Sequence, residues 1–137
     1  MIYTRGRYAL RVMIDLAEQN PEKYIPLEEI AMRQGISKKY LEAVLKVLVQ
    51  HELLKGTRGK GGGYKLTRKP AEYTVGEILE LADEGSLSIV PCLQGENTCE
   101  RKSQCLTLPI WEEFNEITRE FFFKITLEDV LKKSAKK

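Results

Sequence analysis

All three cysteines of this 137-residue chain, Cys92, Cys99 and Cys105, fall within positions 92–105, spaced C-x6-C-x5-C among Gln, Glu, Asn, Arg, Lys and Ser. Thiolates at such spacing in a polar loop are ligands that iron-sulfur clusters and zinc both favour. An internal disulfide framework is not expected, because three is an odd number and a chain of this length can bury a core without staples. The charged start MIYTRGRYALRV is followed by no apolar signal core. No apolar run reaches the roughly 18 residues of a membrane span. The reading is therefore a cytoplasmic protein with no membrane partner, in a reducing compartment where clustered thiols serve metal or redox chemistry. A structural zinc site asks for four protein ligands. The single histidine, His51, lies at the end of a helical pattern and reads as a surface residue. No acid-base pair or nucleophile with a partnering base stands beside the cysteines, so an enzyme is not expected.

Elements must place this loop, and charge divides them. Residues 1–70 carry 14 Lys+Arg against 7 Asp+Glu, and residues 71–137 carry 8 against 13. A basic half joined to an acidic half matches a nucleic-acid-binding head on a separate sensing or oligomerising part, since only the contact face has to neutralise phosphates.

In the basic half, Leu10, Met13, Ile14 and Ala17 repeat at helical spacing over Arg7–Gln19, with Arg11, Asp15 and Glu18 as the polar stripe. Pro26–Gln34 forms a second, shorter helix ending at Gly35. Gly35-Ile36-Ser37 is then a turn whose serine can cap a third helix with Leu41, Val44, Leu45, Leu48 and Val49 on one face. Two short helices joined by a glycine-containing turn is the helix-turn-helix signature. The stretch LLKGTRGKGGGYKLTR follows as two strand-like pieces around Gly59, Gly61, Gly62 and Gly63, a hairpin wing carrying Lys55, Arg58, Lys60, Lys65, Arg68 and Lys69. Its glycines do not form a phosphate loop, because Gly62-Gly63-Tyr64 stands where a P-loop needs Lys-Ser or Lys-Thr.

In the acidic half, Thr74 with Glu77 is a capping box for a helix running to about Asp83. Past the cysteines, Leu108–Lys124 makes the longest helix, with Ile110, Trp111, Phe114, Ile117, Phe121 and Phe122 as an apolar-aromatic face. Thr126 with Asp129 opens a last short helix. A second copy of the chain would cover the aromatic face; packing on its own head is the alternative. The expected fold class is mostly α with a small β-hairpin wing. A winged helix-turn-helix head occupies 1–72, and a part at 73–137 holds the cysteine loop (91–106) and a long C-terminal dimerisation helix.

The segments TRGRYALRVMIDLA, IAMRQGISKKYLEAVLKVL, RGKGGGYKL, TVGEILELADE, the three-cysteine loop and CLTLPIWEEF…ITLEDVL appear here in order. Together they resemble the Rrf-two family of bacterial winged-helix regulators over nearly the whole chain. The resemblance implies a homodimer that binds a partly palindromic double-stranded DNA operator and a cluster loop at the base of each long helix. It implies that Ser37, Lys38, Lys39, Tyr40 and Glu42 face DNA and that Arg58, Lys60 and Gly61 enter the minor groove. Ser37, Lys39 and Tyr40 suit phosphates, Glu42 suits a cytosine amino group, and arginine suits a narrow minor groove. Ala43 stands where the family's iron-sulfur assembly regulators often carry Gln. The implied dimer contacts are Ile110, Trp111, Phe114, Ile117 and Phe121.

The resemblance also implies an iron-sulfur cluster on Cys92, Cys99 and Cys105, with 2Fe-2S ahead of 4Fe-4S. The fourth ligand departs from the family. Leu108 replaces the His of the assembly regulators, and Arg7 replaces the Asp of the nitric-oxide-responsive members. Glu96, Glu100, Ser103, a solvent species or a small thiol are the alternatives. The expected function is a DNA-binding transcriptional regulator controlled by this cluster. A thiol-redox regulator of the same fold without a cluster, and a module that binds protein or RNA, are the competing readings.

Overall fold

The computed structural model describes residues 2–83, 93 and 100–135. Its elements in chain order are α1 (Thr4–Ala17), α2 (Leu27–Gln34), α3 (Lys38–Gln50), β1 (Leu54–Thr57), β2 (Gly63–Leu66), α4 (Val75–Ala82), α5 (Leu108–Phe123) and α6 (Leu127–Ala135). Single 3₁₀ turns lie at Pro70–Glu72 and Lys102–Gln104. The fold class expected from the sequence is the one found: helices with one two-stranded antiparallel hairpin.

The head is built on α3. Its apolar spacing puts Leu41, Val44, Leu45 and Leu48 inward, all essentially inaccessible, beside Ala9, Val12, Met13 and Leu16 of α1 and Ile30 of α2. Each such leucine contributes about 1.5–3 kcal/mol by leaving water. The same buried cluster continues without a break through Leu53 and Leu54 to Tyr73, Ile78, Ala82 and Leu127. Thus α4 and the start of α6 pack into the head; α1 and α4 lie along one another.

Asp15, placed on the polar stripe of α1 by its periodicity, is instead 3% exposed. It is fully engaged: Arg33 donates Nε–H and Nη2–H to it at 3.0 and 2.8 Å, and Gln34 donates Nε2–H at 2.8 Å. The Asp15 hydrogen bond is the main reason the Arg33 pKa rises above its ordinary value. A buried carboxylate survives only when its charge and lone pairs are matched, and α2 supplies both partners. The pair fixes the first helix-turn-helix element against α1.

The hairpin pairs Leu54 with Leu66, Lys55 with Lys65, Gly56 with Tyr64 and Thr57 with Gly63. Ile25 adds a third, single-residue rung. Its N–H donates to the Tyr64 carbonyl at 2.8 Å and its carbonyl accepts from the Tyr64 N–H at 2.9 Å. Gly63 (φ 150°) permits this approach, because a Cβ there would lie 2.2 Å from the Ile25 carbonyl oxygen.

The Thr74 hydroxyl caps α4 by accepting the Glu77 N–H at 3.1 Å, as its sequence predicts. The reciprocal half of that box is diverted, since the Glu77 carboxylate binds Arg68. At α6 both halves form: Thr126 N–H donates to Asp129 at 3.0 Å and Asp129 N–H donates to the Thr126 hydroxyl at 3.1 Å. The Thr126 backbone N–H is the chief reason the Asp129 carboxyl sits below its ordinary pKa.

Candidate nucleic-acid interface and cysteine segment

The first candidate residues lie at the N-terminus of α3. Ser37 caps it, its Oγ accepting the Tyr40 N–H at 3.2 Å. Lys38, Lys39 and Glu42 are exposed on the first turn and a half, while Leu41 between them is buried. Tyr40 is not a free side chain. Its ring meets Tyr8 of α1 edge to face, centroids 5.4 Å apart at 87°. Tyr8 in turn carries the Arg11 guanidinium over its face at 5.2 Å. Arg11 also donates to Gln34, through Nε–H to the side-chain oxygen at 3.1 Å and through Nη2–H to its carbonyl.

The other candidate residues lie in the hairpin loop. Arg58, Lys60 and Gly61 are exposed in the loop between β1 and β2, and neither cation forms an ion pair with a described residue. Gly61 takes a left-handed backbone (φ 80°) that other side chains resist. Glu42 and Arg58 line one groove of about 310 Å³ with Lys46, Val49, Gly56, Thr57 and Tyr64. Of the residues expected to face DNA, Glu42 of α3 and Arg58 of the hairpin thus share one groove.

Two cations counted on the wing from sequence have other duties. Arg68 makes a two-pronged pair with Glu77 at 3.0 and 2.7 Å, donates to the Glu72 carbonyl at 2.9 Å and lies 4.6 Å over the Tyr73 ring. The Glu77 hydrogen bond raises its pKa. Lys65 lies 4.7 Å over the Tyr24 ring. His51 is exposed as the C-cap of α3, as expected of a surface residue.

Of the proposed thiol ligands, Cys92 and Cys99 lie outside the described residues, as does Glu96. Cys105 lies three residues before α5. Its Sγ is 3.2 Å from the Thr107 hydroxyl. That hydrogen bond, aided by the Thr107 and Leu108 backbone N–H groups, pulls the thiol below its ordinary pKa. The donor chemistry fits an iron ligand, because thiolate rather than thiol binds metal. Leu108 and Arg7 supply no donor; the Arg7 guanidinium donates to the Thr4 hydroxyl at 3.2 Å. Glu100 and Ser103 are exposed. Among the described residues, no three His, Cys, Asp or Glu side chains converge as a metal site.

On α5, Ile110, Trp111, Phe114, Ile117 and Phe121 are all exposed, Phe114 by 50% and Ile117 by 58%. Phe122 departs from that face. With Phe123, Ile125 and Val130 it packs on Val75 and Leu79 of α4. The helix is further tied to α4 by Arg119, whose Nη1–H donates to Glu80 at 2.7 Å.

Residues 2–133 match the profile of the Rrf2 family, described as "Iron-dependent Transcriptional regulator". The chain belongs to the Rrf2 family. It is 38% identical over 128 residues to the HTH-type transcriptional regulator IscR of Sodalis glossinidius (strain morsitans), which spans 93% of this chain and 76% of that one. IscR of Xenorhabdus nematophila is 37% identical over 129 residues, spanning 94% of this chain and 77% of that one. Among solved structures, T. potens IscR superposes with a TM-score of 0.75 at 33% identity, covering 98% and 88% of the two chains. CymR of B. subtilis, titled the global cysteine regulator of that organism, superposes at 0.74 with 34% identity and 95% coverage of both. This Rrf2 member is accordingly a winged-helix transcriptional regulator and not an enzyme. No described helix is long and apolar enough to cross a membrane.

Three features of the Rrf2 head escaped sequence reasoning. The Ile25 rung had a signal, since a β-branched residue before proline is driven into extended backbone. The burial of Asp15 had none, because an acidic residue on the polar stripe of a helix looks solvated. The third is Asp83, which accepts the Gly6 N–H at 3.1 Å and the Tyr3 N–H at 3.3 Å at the start of α1. Burial pushes its carboxyl up, against the lowering effect of those two bonds.

Proposed function

We propose that this chain is a cytoplasmic, homodimeric regulator that binds a partly palindromic duplex operator under the control of an iron-sulfur cluster on Cys92, Cys99 and Cys105. The observation that carries the DNA reading is the groove that Glu42 of α3 and Arg58 of the hairpin share, together with the exposure of Lys38 and Lys39 on the first turn of α3. In this reading Ser37, Lys38, Lys39 and Tyr40 hold phosphates and Glu42 reads a base edge in the major groove. Arg58, Lys60 and Gly61 enter the adjacent minor groove. The division of labour follows the charge: residues 1–72 grip DNA, and residues 73–137 sense and pair.

The exposed apolar face of α5 supports pairing with a second copy, since five large apolar side chains in solvent on one helix are otherwise unfavourable. Two heads then read two half-sites about one helical turn apart. The cluster, 2Fe-2S ahead of 4Fe-4S, would supply redox- and ligand-sensitive iron at the base of α5. Cys105 would hold it as thiolate, and a non-cysteine group would complete the shell.

A thiol-redox regulator without a cluster is the second reading. It is favoured by the lowered pKa of Cys105 and by the likeness to CymR, one structure of which, from Staphylococcus aureus, is titled as an oxidized form, with 28% identity and a TM-score of 0.71. The two readings are separated by anaerobic reconstitution with iron and sulfide. Uptake with a visible chromophore that each Cys→Ala change abolishes or destabilises supports the cluster. A reversible, oxidant-dependent change in DNA binding without iron supports the thiol switch.

A further inference from the structure

We propose that Asp83 is a positioning residue for operator recognition: its carboxylate holds the first turn of α1 in the place from which Tyr8 braces Tyr40 of the recognition helix. The inference rests on the reading of Tyr40 as a DNA contact. Every helix leaves its first N–H groups without an internal partner, and the residue at the N-cap ordinarily supplies one. The N-cap of α1 is Tyr3, whose side chain caps nothing. The acceptor comes instead from 77 residues away, where Asp83, the C-cap of α4, takes the Gly6 N–H at 3.1 Å and the Tyr3 N–H at 3.3 Å.

The approach is close enough to dictate the residue opposite. A Cβ on Gly6 would stand 2.4 Å from Asp83 Oδ2. Glycine is thus the side of the contact that lets the carboxylate reach the backbone. From that turn the chain of contacts is short. Tyr8 lies two residues beyond Gly6 and meets the Tyr40 ring edge to face at 5.4 Å. Asp83 and Tyr40 also line one cleft of about 380 Å³ with Tyr3, Thr4 and Arg5. The Tyr40 side chain is therefore oriented by α1, and the start of α1 by Asp83. Coupling of this kind is measured as an energetic link between the two positions.

A double-mutant cycle supplies that measurement, using the duplex that wild-type protein selects from a randomised library as the probe. Asp83→Ala should weaken binding on the order of tenfold, within the range that contacting residues span in such cycles. The loss should largely disappear in a Tyr40→Phe background, which keeps the ring and removes the hydroxyl, and should persist in full in an Arg58→Ala background. A general loosening of the head would act equally in both.

Two further variants guard against misfolding. Asp83→Asn keeps the shape and one acceptor and should give an intermediate loss. Gly6→Ala favours helix by propensity yet should weaken binding through displacement of the carboxylate. Equal effects of Asp83→Asn in the Tyr40→Phe and Arg58→Ala backgrounds would overturn the inference while leaving the DNA reading intact. Wild type that selects no duplex would instead overturn the DNA reading itself.

Discussion

The Tyr73 hydroxyl donates to the Leu53 carbonyl at 2.8 Å while accepting the Thr67 and Arg68 N–H groups at 2.8 and 3.0 Å. Tyr73 is completely buried, so this one oxygen closes the turn after α3 against the exit of β2 and fixes the base of the wing.

Removing that oxygen leaves the part-buried Thr67 and Arg68 N–H groups without their acceptor and leaves the Leu53 carbonyl only the Thr67 hydroxyl at 3.3 Å. Tyr73→Phe should therefore destabilise the protein by about 1–3 kcal/mol. Urea unfolding should show a lower midpoint with an unchanged slope, because the surface exposed on unfolding is the same.

Arg58 and Arg68 lie on the same hairpin but have different work. Arg58→Ala should weaken operator binding by roughly 1–3 kcal/mol and reduce the salt slope by about one. Arg68→Ala should leave that slope nearly unchanged and lower stability instead, because its guanidinium is committed to Glu77 and stacked on Tyr73. Anisotropy titrations at several salt concentrations, beside a urea curve for each variant, separate the two.

The contrast shows what the sequence could and could not disclose. Helices, caps and the hairpin were legible because each depends on local spacing: the α3 apolar face, Ser37 before it, the Thr126–Asp129 box and the glycines of the wing. The partners of Arg68, Asp15 and Asp83 were not, because each is chosen by packing between elements 9 to 80 residues apart. For the same reason Phe122 was counted on the aromatic face of α5, although it turns onto α4.

Exposure of that face predicts the oligomeric state. Phe114→Asp should sediment as a monomer at micromolar concentration, where wild type should be a dimer. Its operator affinity should fall steeply, since each head would then bind its half-site alone. Wild type that sediments as a monomer would remove the dimer from the account.

Two aspartates should give pH effects of opposite sign. The Asp129 carboxyl is held below its ordinary pKa by Thr126, so its contribution is complete above the unfolded-state pKa and is lost as pH falls through the folded-state value. The stability gap between wild type and Asp129→Ala should thus be full at neutral pH and close in acid. Asp83 is raised by burial, so the stabilisation tied to its protonated form is complete below the unfolded-state pKa and is lost as pH rises through the folded one. The carboxylate that remains still accepts the Gly6 and Tyr3 N–H groups. Wild type should lose ground to Asp83→Asn as pH increases across the carboxylate range.

The central claim, that thiol-bound iron and sulfide govern the grip on DNA, is tested most directly by one paired titration. Wild-type protein is reconstituted anaerobically with iron and sulfide and titrated against its selected duplex by anisotropy, in parallel with the same preparation after the iron is stripped by a chelator. The account predicts a visible chromophore in the first sample alone and a clear difference in duplex affinity between the two, both lost in Cys105→Ala. Failure to take up iron and sulfide, or equal affinity with and without them, would contradict it.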